Sequence, residues 1–569
     1  MGGTFSNRSE MQKRLFAELS QMFGLEVPLY AKSLLVNRCC NETICALLAA
    51  RFPDFKLTAA QQEQMSGERH GAIRIGRPDE YRWVGRFFAA FGLEPHNYYD
   101  LTKLGAKSQP IIATAFRSRR NPEHRIFCSL LMTDYFAPAT RVRLEAQLAT
   151  REIFSAQAKA LIEQQEHQGG LTADEATQLI QEGVQRIFKW TGRACHYELY
   201  QELCAAGFKI AADIVCFESH HLNHLTPNTL WLDLYTAAMR HCLGELSATD
   251  FRARAAVVLA RVAARADHDY LRLHFRHLVD EEIAGWKSRL VPAATLAALG
   301  DKLAERLQAA DLKLADWPHA GFKENTEGPA EDTPVLLRQD AYRALTEPVL
   351  FTEPAGAQIS AVHTARVGEI EQRFYATTPA GRSRYDACLT AAEAARSALP
   401  RGARADFTAA DKVYAAPFAV FPKTLSALLE EKLVYGYYRV TAAGRRAAQA
   451  GALKIMPWPE LIRSGYVVVD GLRYEDFLPV SAAGIFASNL KEGGTSSTAA
   501  KPVVYPQSRL EAILGRKIID TTLTYAGLAA ESQQQVLTAL GLWDQLALAA
   551  QAALLATMAA AHDSGAREP

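Results

Sequence analysis

Three short stretches carry side chains that could do chemistry together. "HHLNHLTPNT" (220–229) places His220, His221 and His224 close to one another, just before Pro227. Read as extended chain, it turns His220, Leu222 and His224 to one face and His221 and Asn223 to the other. Proline lacks an N–H donor and ends a strand's ladder, so His224 falls at a strand terminus. Metal ligation competes here with histidines simply hydrogen-bonded at a sheet edge. "ERHGAIRIG" (68–76) alternates His70, Ala72 and Arg74 onto one face. A ligand and a guanidinium about 13 Å apart, at roughly 3.3 Å per residue, could hold opposite ends of one elongated anion. "VGEIEQRF" (367–374) alternates Glu369, Glu371 and Arg373. Acidic residues are depleted in strands, so two carboxylates about Ile370 stand out against the plainer reading of a solvent-facing Glu and Arg ladder.

Two imidazoles and one carboxylate from three separate strands would make a facial triad suited to non-haem Fe(II), with positions left for a chelating substrate and O2. A thiolate-rich tetrahedral site would favour zinc instead. The HExxH, GxSxG, P-loop and GxGxxG signatures are absent, which removes several standard enzyme classes.

The elements that must position these residues follow from the texture of the chain. Helical spacing fills the first 60 residues, then "GERHGAIRIG" reads as a strand and "RPDEYRWVGRFFAAFGLEP" as a helix closed by glycine. "QPIIATAFR" and "HRIFCSLLM" suggest two more strands. This order points to an α+β sheet unit rather than a doubly wound parallel sheet. Helices return over 138–206, and "KIAADIVCFESHHLNHLTP" has strand texture. Residues 231–325 read as a solvated helical insert ending in a polar linker, and "AVHTARVGEIEQRFY" reads as a strand. The expected division is 1–230, the N-terminal part of the core; 231–325, the insert; 326–535, its C-terminal part; and 536–569, a packed helix and tail.

With 569 residues, 49% apolar and a formal net charge of +1, the chain has an ordinary globular composition and no electrostatic case for a nucleic-acid partner. No apolar stretch reaches the roughly 20 residues of a membrane span, and no secretory h-region is visible. Nine scattered cysteines without a CxxC pair point to a reducing cytoplasm.

"ERHGAIRIG", "YYDL", "TAFR", "ADIV", "NHLTP", "LLRQ", "HTARVGEIEQR" and "YEDFLPVSAAGIFASNL" occur in that order. Together they resemble the 2-oxoadipate dioxygenase/decarboxylase family over about residues 10–230 and 330–530. The resemblance implies a vicinal-oxygen-chelate-like mixed β-sheet core surrounded by helices. It also implies an Fe(II) enzyme that takes 2-oxoadipate and O2 to 2-hydroxyglutarate and CO2, a step of lysine catabolism. By motif, His70, His224 and a glutamate of "GEIEQR", Glu371 in preference to Glu369, would hold the metal. His70, Arg74 and Val480 would contact substrate, Arg74 through a carboxylate and Val480 from a closing loop. Glu369, His220 and Ser481 are expected as outer partners or alternative ligands. The 231–325 insert and the histidines of "ESHHLNHLTPNT" depart from the family pattern. A non-redox divalent-metal lyase or isomerase acting on a 2-oxo acid, and a 2-oxo acid binding protein without catalysis, remain as competing readings.

Overall fold

The computed structural model describes residues 5–103, 108–119, 122–275, 278, 283, 285–310, 326–400, 407–451, 453–477 and 504–563. Its strands are β1 (Glu68–Ile75), β2 (Glu94–Asp100), β3 (Ile111–Arg117), β4 (Arg125–Leu131), β5 (Arg193–Cys195), β6 (His224–Pro227), β7 (Leu337–Thr352), β8 (Gln358–Arg373), β9 (Gly436–Val440) and β10 (Val467–Gly471). They form a five-stranded sheet in the order β2-β3-β4-β1-β6, a three-stranded sheet β5-β7-β8, and the pair β10-β9. Pairing in the large sheet is antiparallel except between β1 and β4, so the sheet is mixed. With helices wrapped around the sheets, this is the α+β architecture expected.

Both β3 and β4 are buried along their whole length, which explains their nearly continuous apolar sequences "IIATAFR" and "RIFCSLL". The helix Pro78–Ala90 connects β1 to β2, with proline at its first turn beside Asp79 and Glu80, where a helix tolerates a missing N–H and favours negative charge. Sequence pattern misses β2, because "EPHNYYD" alternates poorly and carries a register shift between His96 and Tyr98.

The large and small sheets meet where β6 ends. Thr229 donates its N–H to the Glu371 carbonyl at 2.8 Å, and Asn228 bridges to Glu371. One apolar core runs beneath both and takes in Leu232, Phe251, Leu259 and Leu303 from the helices of the 231–325 segment.

Two sequence expectations are corrected. The stretch "KIAADIVCFESHHLNHLTP" is not one strand: Lys209–Cys216 is a helix, Phe217 makes a single bridge to Ala194, 218–223 are irregular, and His224–Pro227 form a short strand. The helix is buried almost all round, through Ile210, Ala211, Ala212, Asp213, Ile214 and Val215, and a short apolar run of that kind fits a buried helix as well as a strand. The strand parity assigned to His220 and His221 therefore does not apply. The helices of 231–325, expected as a solvated insert, instead lend side chains to the main core, while the C-terminal helix Leu548–Asp563 packs on Thr521–Ala539 with Leu554 against a buried cluster and Leu548 81% exposed.

Candidate metal centre

β1 and β6 lie side by side with His70 opposite Thr226 and Ala72 opposite His224. His70 and His224 are thus diagonal neighbours on one face, the geometry in which long side chains of adjacent strands meet. Their rings stand perpendicular with centroids 5.3 Å apart. β8 brings its acidic face against them from the other sheet. Glu369 Oε2 lies 3.4 Å from His70 Nε2 and 3.6 Å from His224 Nε2, and Thr226 donates its hydroxyl to the same oxygen at 3.3 Å. Ligand atoms of His70, His224 and Glu369 all fall within 4.8 Å of one another, and all three side chains are buried.

The two histidines paired by the family resemblance lie together, and the carboxylate oxygen that faces both Nε2 atoms belongs to Glu369 rather than to the preferred Glu371. Glu371 is engaged elsewhere. It accepts a hydrogen bond from His70 Nδ1 at 2.9 Å, and both its oxygens are taken by Arg373, Nε at 2.6 Å and Nη2 at 2.8 Å. Arg125 adds a contact at 3.3 Å and reaches Glu475 at 2.8 Å. Residues two apart on a strand share a face, so alternation could not separate the two glutamates. Arg373, two residues further along that face, holds both Glu371 oxygens, and Glu371 meets His70 on its Nδ1 side while Glu369 meets Nε2.

Electrostatics follow the same division. Burial alone would push the Glu371 carboxyl up, but Arg373, His70 and Arg125 hold it well below the usual carboxylate range. Burial pushes His224 down to about 4 against the opposing pull of Glu369, so its ring is neutral. Its Nε2 is buried without a hydrogen-bond partner. His70 faces a carboxylate on each side, with the shorter contact from Nδ1 to Glu371 at 2.9 Å and the longer from Nε2 to Glu369 at 3.4 Å, which favours the hydrogen on Nδ1. The Nε2 atoms of His70 and His224 and a carboxylate oxygen of Glu369 thus face one another in a buried place. A divalent cation fits that set, and no cysteine contributes.

Several supporting residues were not anticipated. Arg117 pairs with Asp476 at 2.8 Å, Tyr525 donates to the same carboxylate at 2.7 Å, and Arg373 Nη1 donates to the Tyr474 and Asp476 carbonyls. The acidic pair Glu475–Asp476 inside "RYEDF" was the available signal, since buried carboxylates need partners. Phe477 lays its ring 4.7 Å from that of His70. Val480 and Ser481 lie outside the described residues.

Arg74 is buried and its guanidinium is paired with Asp213. His220 reaches the backbone carbonyl of Arg74 through Nδ1 at 3.2 Å and lies 3.7 Å from Glu80, so it touches the strand behind Arg74 rather than the triad.

A buried site of two histidines and one carboxylate, spanning two sheets of an α+β protein, is one that could hold a single metal ion. The model of the family described as 2-oxoadipate dioxygenase/decarboxylase matches residues 15–249 and 261–489, and the chain belongs to that family. A relative from Pseudomonas putida named 2-oxoadipate dioxygenase/decarboxylase is 32% identical over 547 residues, covering 95% of this chain and 98% of the relative. A protein of the same name from Escherichia coli is 30% identical over 488 residues, 84% of this chain and 88% of its own length. The crystal structure of the Pseudomonas putida hydroxyglutarate synthase in complex with 2-oxoadipate superposes with a TM-score of 0.67 at 29% identity, covering 95% of this chain and all of that one.

Proposed function

We propose that this protein is an Fe(II)-dependent dioxygenase and decarboxylase that converts 2-oxoadipate and O2 to 2-hydroxyglutarate and CO2, with the metal held by His70, His224 and Glu369. The observation that carries the reading is the convergence of these three buried side chains in a member of this family. Bound there, Fe(II) supplies a chelation point for the 2-oxo acid and the means to activate O2. The reaction balances without a second organic substrate: the C1 carboxylate leaves as CO2, and both oxygen atoms of O2 end in the shortened product.

The chain's own residues supply orientation and dryness. Glu371 accepts the Nδ1 hydrogen of His70 and so keeps its Nε2 lone pair turned inward. Thr226 steadies the Glu369 oxygen that faces both rings. Arg74, on the same strand as His70, would bind the carboxylate at the far end of the substrate as a planar fork. Phe477 covers the His70 ring and keeps water from that side.

No described helix is long and apolar enough to cross a membrane. All nine cysteines are free, which suits the reducing cytoplasm proposed for it.

The test is oxygen-electrode assay of Fe(II)-loaded protein with 2-oxo acids of different chain length, the product identified by mass. Oxygen uptake matched by 2-hydroxyglutarate is expected, and His224→Ala should lose both iron and turnover. Full-rate turnover under argon would replace the reading with a non-redox lyase or isomerase.

A further inference from the structure

A second buried cluster gathers around Asp213, in the helix Lys209–Cys216. One of its oxygens takes the guanidinium of Arg74. The other lies 3.3 Å from the Nε2 atoms of both His221 and His363. Behind His363, Tyr200 donates its hydroxyl to Nδ1 at 2.8 Å. The other ring nitrogen, Nε2, is the one that faces Asp213. Tyr200, His363, Asp213 and Arg74 thus lie in sequence, each within 3.3 Å of the next. Trp190 and Phe217 wall it in, with ring centroids 4.6 Å from His221 and 4.6 Å from His363 respectively. All of these polar side chains are buried.

The cluster is built from the same two strands as the triad. β1 carries His70 at one end and Arg74 at the other, while β8 carries Glu369 and, six residues earlier, His363. One end of this frame is made of metal-ligand types and the other ends in a guanidinium. A guanidinium in so dry a place is costly unless paired, and a long flexible side chain needs something to hold its rotamer. Asp213 meets both needs.

We propose that Asp213 is the positioning residue that sets Arg74 for the far carboxylate of the substrate, and that His363 and His221 brace its second oxygen. Asp213 is then what makes the site select 2-oxo acids that end in a carboxylate. The proposal rests on the 2-oxo acid activity given above.

The experiment compares 2-oxoadipate with 2-oxohexanoate, which carries a methyl group in place of the far carboxylate. Full-length Asp213→Asn and Tyr200→Phe are assayed for kcat and KM, for binding of each acid under argon by calorimetry, and for metal content. For Asp213→Asn, misplacing the guanidinium should weaken 2-oxoadipate binding and raise its KM by on the order of 10²-fold, with 2-oxohexanoate changed less than about twofold and metal content as in the wild type. Tyr200→Phe should shift the same ratio in the same direction by less, and it decides the matter if Asp213→Asn does not fold. Equal losses on both acids, or no loss on either, would overturn the proposal while leaving the dioxygenase reading intact. A wild type that neither binds nor turns over 2-oxoadipate would remove that reading first, and this one with it.

Discussion

Replacing Glu371 with glutamine should leave a folded but weakened protein that still takes up metal, whereas the same change at Glu369 should leave a stable protein that does not. Glu371 sits fully buried between Arg125 and Arg373, and Arg125 also pairs with Glu475, so Glu371 supplies negative charge that these arginines need. The glutamine amide keeps one acceptor oxygen but turns an NH2 toward His70 Nδ1 or an arginine, both donors. One buried positive charge is then uncompensated, at about 3–5 kcal/mol, and the loosened His70 should cost 10- to 100-fold in metal affinity, the usual range for a lost outer partner. Glu369 is set against the two imidazoles and the Thr226 hydroxyl. Its replacement should cost the metal-free protein about 1 kcal/mol or less and lower affinity by more than ~100-fold. Denaturant unfolding of the metal-free variants gives the first pair of numbers, and Fe(II) titration under argon gives the second. The reasoning fails if Glu371→Gln loses metal as completely as Glu369→Gln without losing stability, because Glu371 would then be the ligand.

Three further outcomes are expected. A Cβ on Gly71 would meet Leu225 Cδ2 at 2.8 Å and the His224 carbonyl at 3.1 Å, so Gly71→Ala should push β6 outward, cost about 1–3 kcal/mol in denaturant unfolding and weaken Fe(II) retention. His274, buried against Tyr270, is pushed down to about 3 by burial and by Arg473. The unfolded chain takes up that proton near pH 6.5 and the folded one does not, so stability should fall as pH drops between about 6.5 and 3, by up to ~1.4 kcal/mol per unit from this group. His274→Phe should flatten the measured slope by one proton. Turnover under labelled O2 should give 2-hydroxyglutarate carrying both labelled oxygen atoms by mass spectrometry, and unlabelled product would break the proposed balance.

What the sequence made legible was the local alternation. His70 with Arg74, and Glu369 with Glu371, share faces because a strand repeats every second residue, and both strands formed where expected. The choice between the two glutamates was not legible. It depends on Arg125, distant in sequence, and on Arg373 curling back onto its own strand, neither of which a periodicity encodes. His224 was singled out by Pro227, and β6 does end there, although the run before it folded as a buried helix. That misreading also hid Asp213, whose burial marks it as needing a partner only once the helix is placed beside β1. The helices of 231–325 looked solvated from their arginines, yet their apolar stripes join the main core.

His70 and Glu369 are 299 positions apart, and Glu369 follows His224 by about 145 residues. On a ribosome adding ~5–20 residues per second, the two imidazoles emerge on the order of ten seconds before the carboxylate that completes the set. A nascent chain therefore presents an open pair of histidines, which any divalent ion that favours nitrogen can occupy. Selectivity for the final ion has to be imposed after β8 docks, when the site closes around whatever it holds. The order in which ions and the last strand arrive should then influence which metal purified protein contains, and expression in iron-poor medium should yield chains loaded with competitors.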